Sequence, residues 1–319
     1  MGSSFMPNGV SIVVLNYNGQ EHLAKCLPSI FNSNQADIPL EVIVVDNNST
    51  DNSLGYIAEN FPKVRTIVMD KNSYYCPANN QGAKAAQYDL VFFINNDTEF
   101  TDNLLPPLVK HFSKPTVFAV SPKILRPFDN MFDEAITSGV FQGGCINTSN
   151  EISKKLKSSR PLEIFYTCGA AMMVDREKFL ELDGFDPITH PFYMEETDIC
   201  FRAWKMGWQS IYEPAGTIYH YYNQSIGTKV STRKAAVSRR KNQYLFIWKN
   251  ISDKKMLLSH FLEMLLPKLL IPNLFEWQAL AMAFRQLSEA IKKRAWQKKA
   301  CLSDREAFQK TAYLEQYLK

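Results

Sequence analysis

Through the first hundred positions apolar residues fall in short continuous runs, and each run ends in amides and carboxylates. Val10–Asn16, Leu40–Asp46, Val64–Met69 and Leu90–Asn95 have the β-branched and aromatic content of buried strands. Between them Glu21–Phe31, Ser53–Asn60 and Ala78–Gln87 carry helical periodicity, with Asp51 placed to cap the second and Pro77 to sit in the first turn of the third. Strand and helix in alternation predict an α/β fold whose sheet is mostly parallel and covered on both faces. Ligands in such sheets bind beyond the carboxyl ends of the strands. Here those ends read Asn16-Tyr17-Asn18, Asp46-Asn47-Asn48 and Asn95-Asn96-Asp97, and the topology predicts that they share one rim.

Periodicity weakens over residues 122–167, where Pro122, Pro127, Gly139, Gly143-Gly144 and a basic stretch at Lys154–Arg160 suggest hairpins and a mobile loop. Thr167–Val174 resumes a strand, and Asp175 caps a helix running through Leu182. An acidic helix follows, starting at Tyr193-Met194-Glu195-Glu196-Thr197-Asp198, then a short strand at Gln209–Tyr212. From about residue 231 the pattern is helical throughout. The expected organisation is one catalytic unit over residues 1–230 and a basic, helical C-terminal extension over 231–319.

Composition adds limits. With 319 residues, 45% hydrophobic and 21% charged, the chain has ample core for a folded protein. Six cysteines without a CxxC pair favour reduced thiols and a cytoplasmic setting over a disulfide or zinc framework. Val10–Leu15 reads as a strand rather than the apolar segment of a leader. The net charge of +4 is unevenly spread: residues 1–230 hold 18 Lys+Arg against 25 Asp+Glu, and residues 231–319 hold 18 against 7. That basic tail, with Lys292-Lys293-Arg294 and Lys298-Lys299 around Trp296, suits either a helical subdomain with a wet basic face or peripheral contact with an anionic membrane. It has no uninterrupted run of the ~18 apolar residues a spanning helix needs.

The acid run is the richest chemistry. A helix N-terminus keeps Glu195, Glu196 and Asp198 ionised, as bases or hydrogen-bond acceptors, although acids in a first turn also serve as plain helix caps. Asp46, at a strand end, fits both a turn residue and an acceptor for a nucleobase or ribose. Asn95-Asn96-Asp97 fits both a turn and a hard-oxygen site for Mg²⁺ or Mn²⁺ beside a diphosphate. The first strand lacks a GxGxxG turn, and neither a Walker loop nor a GxSxG elbow is present, which disfavours dehydrogenases, P-loop enzymes and α/β-hydrolases.

Taken in order, Val13–Gly19, Val44–Asp51, Asn79-Asn80-Gln81-Gly82, Asn95–Glu99 and Met194–Asp198 resemble family 2 glycosyltransferases, near a bacterial rhamnosyl- and galactofuranosyltransferase branch. The resemblance covers roughly residues 10–245. It implies a GT-A fold, a nucleotide-diphosphate sugar donor, a divalent cation and inversion at the anomeric carbon. On that basis Asp46 binds the nucleobase, Asn16, Tyr17, Asn18, Asn79 and Asn96 line the donor site, and Asn95 and Asp97 occupy the ends of the DxD metal motif. Asn95 departs from that motif, leaving one carboxylate where the family has two. Glu196 matches the catalytic base, one methylene longer than the usual Asp, with Glu195 and Asp198 beside it. His220, 24 residues beyond Glu196, stands where related enzymes place a metal-ligating His; a lone His between two tyrosines is otherwise a packed residue.

The expectation is therefore a metal-dependent inverting glycosyltransferase. It would use a nucleotide sugar, dTDP-rhamnose by resemblance, and a glycan or polyprenyl-diphosphate-linked acceptor in cell-surface polysaccharide synthesis at the inner face of the plasma membrane. A nucleotidylyltransferase would need a Gly-rich basic loop after the first strand, and Asn16–Gln20 offers none. A non-catalytic sugar-nucleotide binder remains the other alternative. An RNA-binding module would interleave aromatics with the basic residues, which this chain segregates, so no nucleic-acid partner is expected.

Overall fold

The computed structural model describes residues 7–128, 135–221 and 232–318. The apolar runs form strands at β1 (Val10–Asn16), β2 (Leu40–Asp46), β3 (Arg65–Val68) and β4 (Leu90–Asn95). Later strands are β5 (Thr98–Phe100), β6 (Val117–Leu125), β7 (Ser138–Gln142), β8 (Cys145–Ser149), β9 (Leu162–Glu163), β10 (Ala171–Asp175) and β11 (Gln209–His220). Among the described residues one nine-stranded sheet runs β3-β2-β1-β4-β10-β6-β11-β5, with β9 added beside β11, and β7-β8 form a separate hairpin.

The first four strands are parallel, and the chain steps outward from β1 to β3 before crossing back to lay β4 on the other side of β1. That reversal opens a crevice between β1 and β4 at their carboxyl ends. Register puts Asn16 opposite Asp46 and Leu15 opposite Asn95, so the three polar strand ends do converge. β10 then pairs antiparallel with β4, bringing Ala171 opposite Ile94.

Helices Gln20–Asn32, Ser53–Asn60 and Tyr75–Ala85 supply the crossovers. Pro77 does lie in the first turn of the third. Asn52, rather than Asp51, is the N-cap residue of the second, while Asp51 Oδ1 accepts from Ser53 N at 3.1 Å. The third helix sits close to the sheet at Gly82, where a Cβ would fall 2.4 Å from Val13 Cγ1. β11 is much longer than the expected Gln209–Tyr212. Its polar interruption, Glu213, is buried with Oε2 2.6 Å from His111 Nε2, so the strand continues through it. This extension delivers His220 opposite Thr98 on β5.

The C-terminal helices, chiefly Thr232–Asn250 and Leu274–Arg285, share a buried core with the acidic helix Glu195–Lys205. Phe165, Ile188, Phe201 and Trp204 pack with Tyr244, Leu245, Ile247 and Phe308. Fully buried side chains of this kind each stabilise by about 1.5–3 kcal/mol. Ion pairs cross the same contact: Lys205 Nζ to Asp304 Oδ1 is 2.5 Å, and Lys249 Nζ reaches Asp186 Oδ2 and Asp198 Oδ1 at 2.7 Å each. The extension thus has a basic exterior but buried lysines inside. The expected boundary near residues 230–231 lies outside the described residues.

Candidate active site

The floor of the crevice is a ladder of short polar side chains. Asn96 Nδ2 donates to Asn16 Oδ1 at 2.7 Å, and Asn16 Nδ2 donates to Asp46 Oδ1 at 2.8 Å. Ser49 then donates to both oxygens of Asp46, through Oγ to Oδ1 at 2.6 Å and through N to Oδ2 at 2.8 Å. Asn18 N donates to Ser49 Oγ at 2.8 Å, and Thr50 N donates to Asn18 Oδ1 at 2.7 Å. These bonds lock the turn after β1 to the turn after β2. Asp46 is fully buried, so it orients the turn as a hydrogen-bonded carboxylate, while Tyr17 presents its ring at the rim.

Asn79 completes this wall. It lies one turn before Gly82 on the face of its helix that meets β1 and β2, and it is buried. Neither its Oδ1 nor its Nδ2 finds a hydrogen-bond partner among the described residues. An orphaned buried amide costs roughly 1–3 kcal/mol. The neighbouring Asn80 is spent on structure, exchanging hydrogen bonds with the Phe185 backbone at 2.8 and 2.9 Å.

At the end of β4 the chain turns into β5, and β11 closes against it. Tyr221 N donates to Asp97 O at 2.9 Å, and His220 Nε2 stands 3.3 Å from Asp97 Oδ1. Both side chains are almost wholly buried. One carboxylate oxygen and one imidazole nitrogen side by side fit a hard divalent cation that keeps positions for phosphate oxygens. Asn95 ends β4 two residues earlier and is half-buried. Among the described residues no three or more His, Cys, Asp and Glu side chains are grouped so that they could hold a metal ion, so Asp97 and His220 are a two-member donor set of these types.

The acidic helix approaches from the far side of β10. Glu196 presses its carboxylate on the bare Cα of Gly169, where a Cβ would lie 1.8 Å from Glu196 Oε1. Gly169 is itself held by Tyr75, whose hydroxyl donates to Gly169 O at 3.1 Å. One residue on, Ala170 O accepts from Asn95 N at 3.2 Å. Three adjacent links therefore join Glu196 to the Asn95–Asp97 turn. Burial, then Glu196 and Glu195, push the Tyr75 phenol well up, which keeps it a donor.

The three acids part company in their surroundings. Glu195 is buried, its Oε1 has no hydrogen-bond partner among the described residues, and burial followed by the Glu196 charge raises its carboxyl well above the usual range. That direction favours the protonated form of Glu195, whereas Glu196 beside it is only half-buried. Asp198, expected among the catalytic carboxylates, is buried and paired. Although burial would raise it, Lys249 and then Arg202 hold it low, and Asn250 Nδ2 donates to Oδ1 at 2.7 Å. Arg202 Nε donates to Asp198 Oδ2 at 2.9 Å and its other nitrogens to Leu182 O and Gly184 O. Every named partner of Asp198 belongs to its own helix or to the C-terminal extension.

Two contributors escaped the sequence reading. Tyr75 carried no motif signal beyond its place ahead of Asn79. Lys241, buried on the 232–250 helix, donates to His190 O at 2.6 Å and to Ile188 O at 3.3 Å, fixing the loop that leads into the acids. Burial pushes its ammonium down to about 8, against the pull of Glu195. Its repeat with Lys249, eight residues on along one helix face, was the only available sign.

The family model for "Glycosyl transferase family 2" matches residues 11–183, just over half of the chain. The chain belongs to glycosyl transferase family 2. Among curated proteins it is 26% identical over 267 residues to an N-acetylglucosaminyl-diphospho-decaprenol L-rhamnosyltransferase of Mycobacterium tuberculosis, covering 76% of this chain and 85% of that one. It is also 26% identical over 249 residues to the mouse polypeptide N-acetylgalactosaminyltransferase 10, covering 74% of this chain but 41% of the relative, so it spans about two-fifths of that protein's length. Among solved structures, GalNAc-T7 with UDP, GalNAc and Mn²⁺ superposes with a TM-score of 0.72 at 17% identity, over 96% of this chain and 57% of that one. The likeness is one of fold: a mixed, mostly parallel GT-A sheet flanked by helices.

Proposed function

We propose that this family 2 chain transfers a sugar, with inversion, from a nucleotide diphosphate to a hydroxyl of a glycan or lipid-linked acceptor. The observation that carries it is the contact of Glu196 with Gly169, one residue from the strand end that pairs with Asn95. A base, a polar nucleotide cradle and a cation-type donor pair thereby border one crevice.

Asn16, Asn18 and Asp46 shape the two turns that seat the nucleoside, and Asn79 offers its amide to the donor. Asp97 and His220 would hold Mg²⁺ or Mn²⁺, which when bound offsets the charge that develops on the departing diphosphate. Glu196 takes the acceptor's proton as its oxygen attacks, and the neutral Glu195 behind it keeps the local charge single. General-base assistance of this kind contributes ~10²–10⁴ in rate. The relative from M. tuberculosis, aligned over most of its length and named as an L-rhamnosyltransferase acting on a diphospho-decaprenol acceptor, supports rhamnose and a polyprenyl-diphosphate-linked acceptor as the finer reading; the dTDP donor and a place in cell-surface polysaccharide synthesis rest on the sequence resemblance. Such an acceptor would place the protein at the cytoplasmic face of the membrane.

Titration with a panel of nucleotide sugars, each with and without Mn²⁺, followed by turnover of the donor that binds, tests the reading. Glu196→Gln is expected to bind that donor normally and to lose transfer. Near wild-type turnover by this variant would remove the base assignment.

A further inference from the structure

The C-terminal extension turns a set of apolar side chains outward. Lys254–Ser259, His260–Leu265 and Leu266–Leu270 form one continuous helical run, residues 271–273 turn, and Leu274–Arg285 returns. His260 and Met264 face the core. The opposite face carries Leu258, Phe261, Leu262 and Leu269, all exposed and spaced as one helical stripe. At the turn Leu270, Ile271 and Leu274 are 71%, 63% and 71% exposed, so they project from the surface rather than line a groove. Trp277 braces the tip, its indole N–H donating to Lys268 O at 3.0 Å.

A soluble surface rarely leaves so continuous an apolar patch without a partner. Charge decides which one. Lys254 and Lys255 are exposed at the base of the stripe, and Lys268 stands behind the tip. Of the two acids between residues 254 and 277, Glu276 is buried and neutralised by Arg240 and Lys268, and Glu263 is bonded to Ser259 Oγ. Residues 231–319 as a whole hold 18 Lys+Arg against 7 Asp+Glu. Projecting aliphatic side chains with lysines set back from them match the headgroup boundary of an anionic bilayer, where the chains enter and the ammonium groups stay with the phosphates. No helix among the described residues is long and apolar enough to cross a membrane, so the contact is interfacial.

We propose that the helical hairpin over residues 254–277 docks on an anionic lipid surface by inserting Leu270, Ile271 and Leu274. The proposal deepens the lipid-linked acceptor reading and rests on it for its purpose, but its test reads lipid binding alone. The full chain is sedimented with phosphatidylcholine vesicles, with and without phosphatidylglycerol, at low and high salt. Binding to the phosphatidylglycerol vesicles, weakened by salt, is expected. Leu270→Glu with Ile271→Glu should lower the partition coefficient by at least about 100-fold, and Lys254→Gln with Lys255→Gln by about 30-fold. Both pairs should melt as the wild type does and transfer sugar to a water-soluble acceptor at its rate. Absence of binding to anionic vesicles, or unchanged binding by the Leu270/Ile271 pair, overturns the proposal. So does a wild-type dimer in light scattering that this pair converts to monomer without any vesicle binding, since a second copy would then cover the patch. If vesicles bind but no acceptor is glycosylated, the transferase reading fails and the docking surface stands.

Discussion

Gly169→Ala tests the proposed base without touching it. The added Cβ would lie 1.8 Å from Glu196 Oε1 and 2.8 Å from its Cδ, where ordinary contact begins at 3.4 Å. The oxygen must retreat by about 1.6 Å. Gly169 does not use the left-handed region, so alanine fits its backbone, and the carboxylate lies at the tip of a side chain with several rotatable bonds. The rotamer change itself costs about 0.5–1.5 kcal/mol, so the melting temperature should shift only modestly. Alignment suffers far more, because a displacement of ~1 Å at a reacting group can cost on the order of 10²-fold in rate. The expected result is a kcat lower by about 10²-fold with donor affinity unchanged, from released nucleoside diphosphate and calorimetric titration. Glu196→Asp shortens the side chain by one methylene, so in the Gly169→Ala background it should recover part of the rate. A coupling of roughly 1–3 kcal/mol between the two positions follows. Wild-type kcat in Gly169→Ala, or no recovery in the double variant, refutes the argument.

Three further outcomes are expected. Glu195→Gln should keep most activity, since the native side chain is already neutral. In the wild type the stability owed to neutral Glu195 is whole below its ordinary value of ~4.3 and falls as pH climbs from there through the raised folded-state value; melting curves measured upward from about pH 4 should slope less in Glu195→Gln, and equal slopes would disprove the protonated state. Lys249→Met strands the buried Asp186 and Asp198 and should destabilise by about 3–5 kcal/mol in urea unfolding; because both acids are held low once Lys249 outweighs their burial, the stability owed to this cluster is whole above about pH 4 and is lost as pH falls below it. Chelation should abolish transfer and added Mn²⁺ or Mg²⁺ restore it, whereas full turnover in chelator would remove Asp97 and His220 from cation binding.

What could be read along the chain was whatever depends on neighbours in sequence. Val10–Asn16, Leu40–Asp46 and Leu90–Asn95 appear with the expected bounds because each is a buried parallel strand, apolar on both faces and stopped by polar residues. Their polar ends met on one rim because parallel topology leaves no other arrangement. Failures came from partners far away. Glu213 broke the pattern of the last long strand, and only the distant His111 explains how it is buried. The three-residue strand at Thr98–Phe100 is too short to show periodicity, yet it sets Asp97 beside His220. Asp198 looked like its two acidic neighbours until Lys249 and Asn250, half a hundred positions on, claimed it. Lys241 and Lys249 looked like part of a solvated charge excess and are buried.

The clasp of Lys249 on Asp186 and Asp198 has a consequence for anyone wishing to re-target this enzyme. Grafting another family member's tail onto residues 1–230 would carry in foreign counter-ions for two carboxylates that remain behind. Cutting ahead of Asp186 instead, and moving the acidic helix together with everything after it, keeps each charge with its own mate. Chimeras joined there should express as folded proteins, and those joined at the natural-looking seam should not.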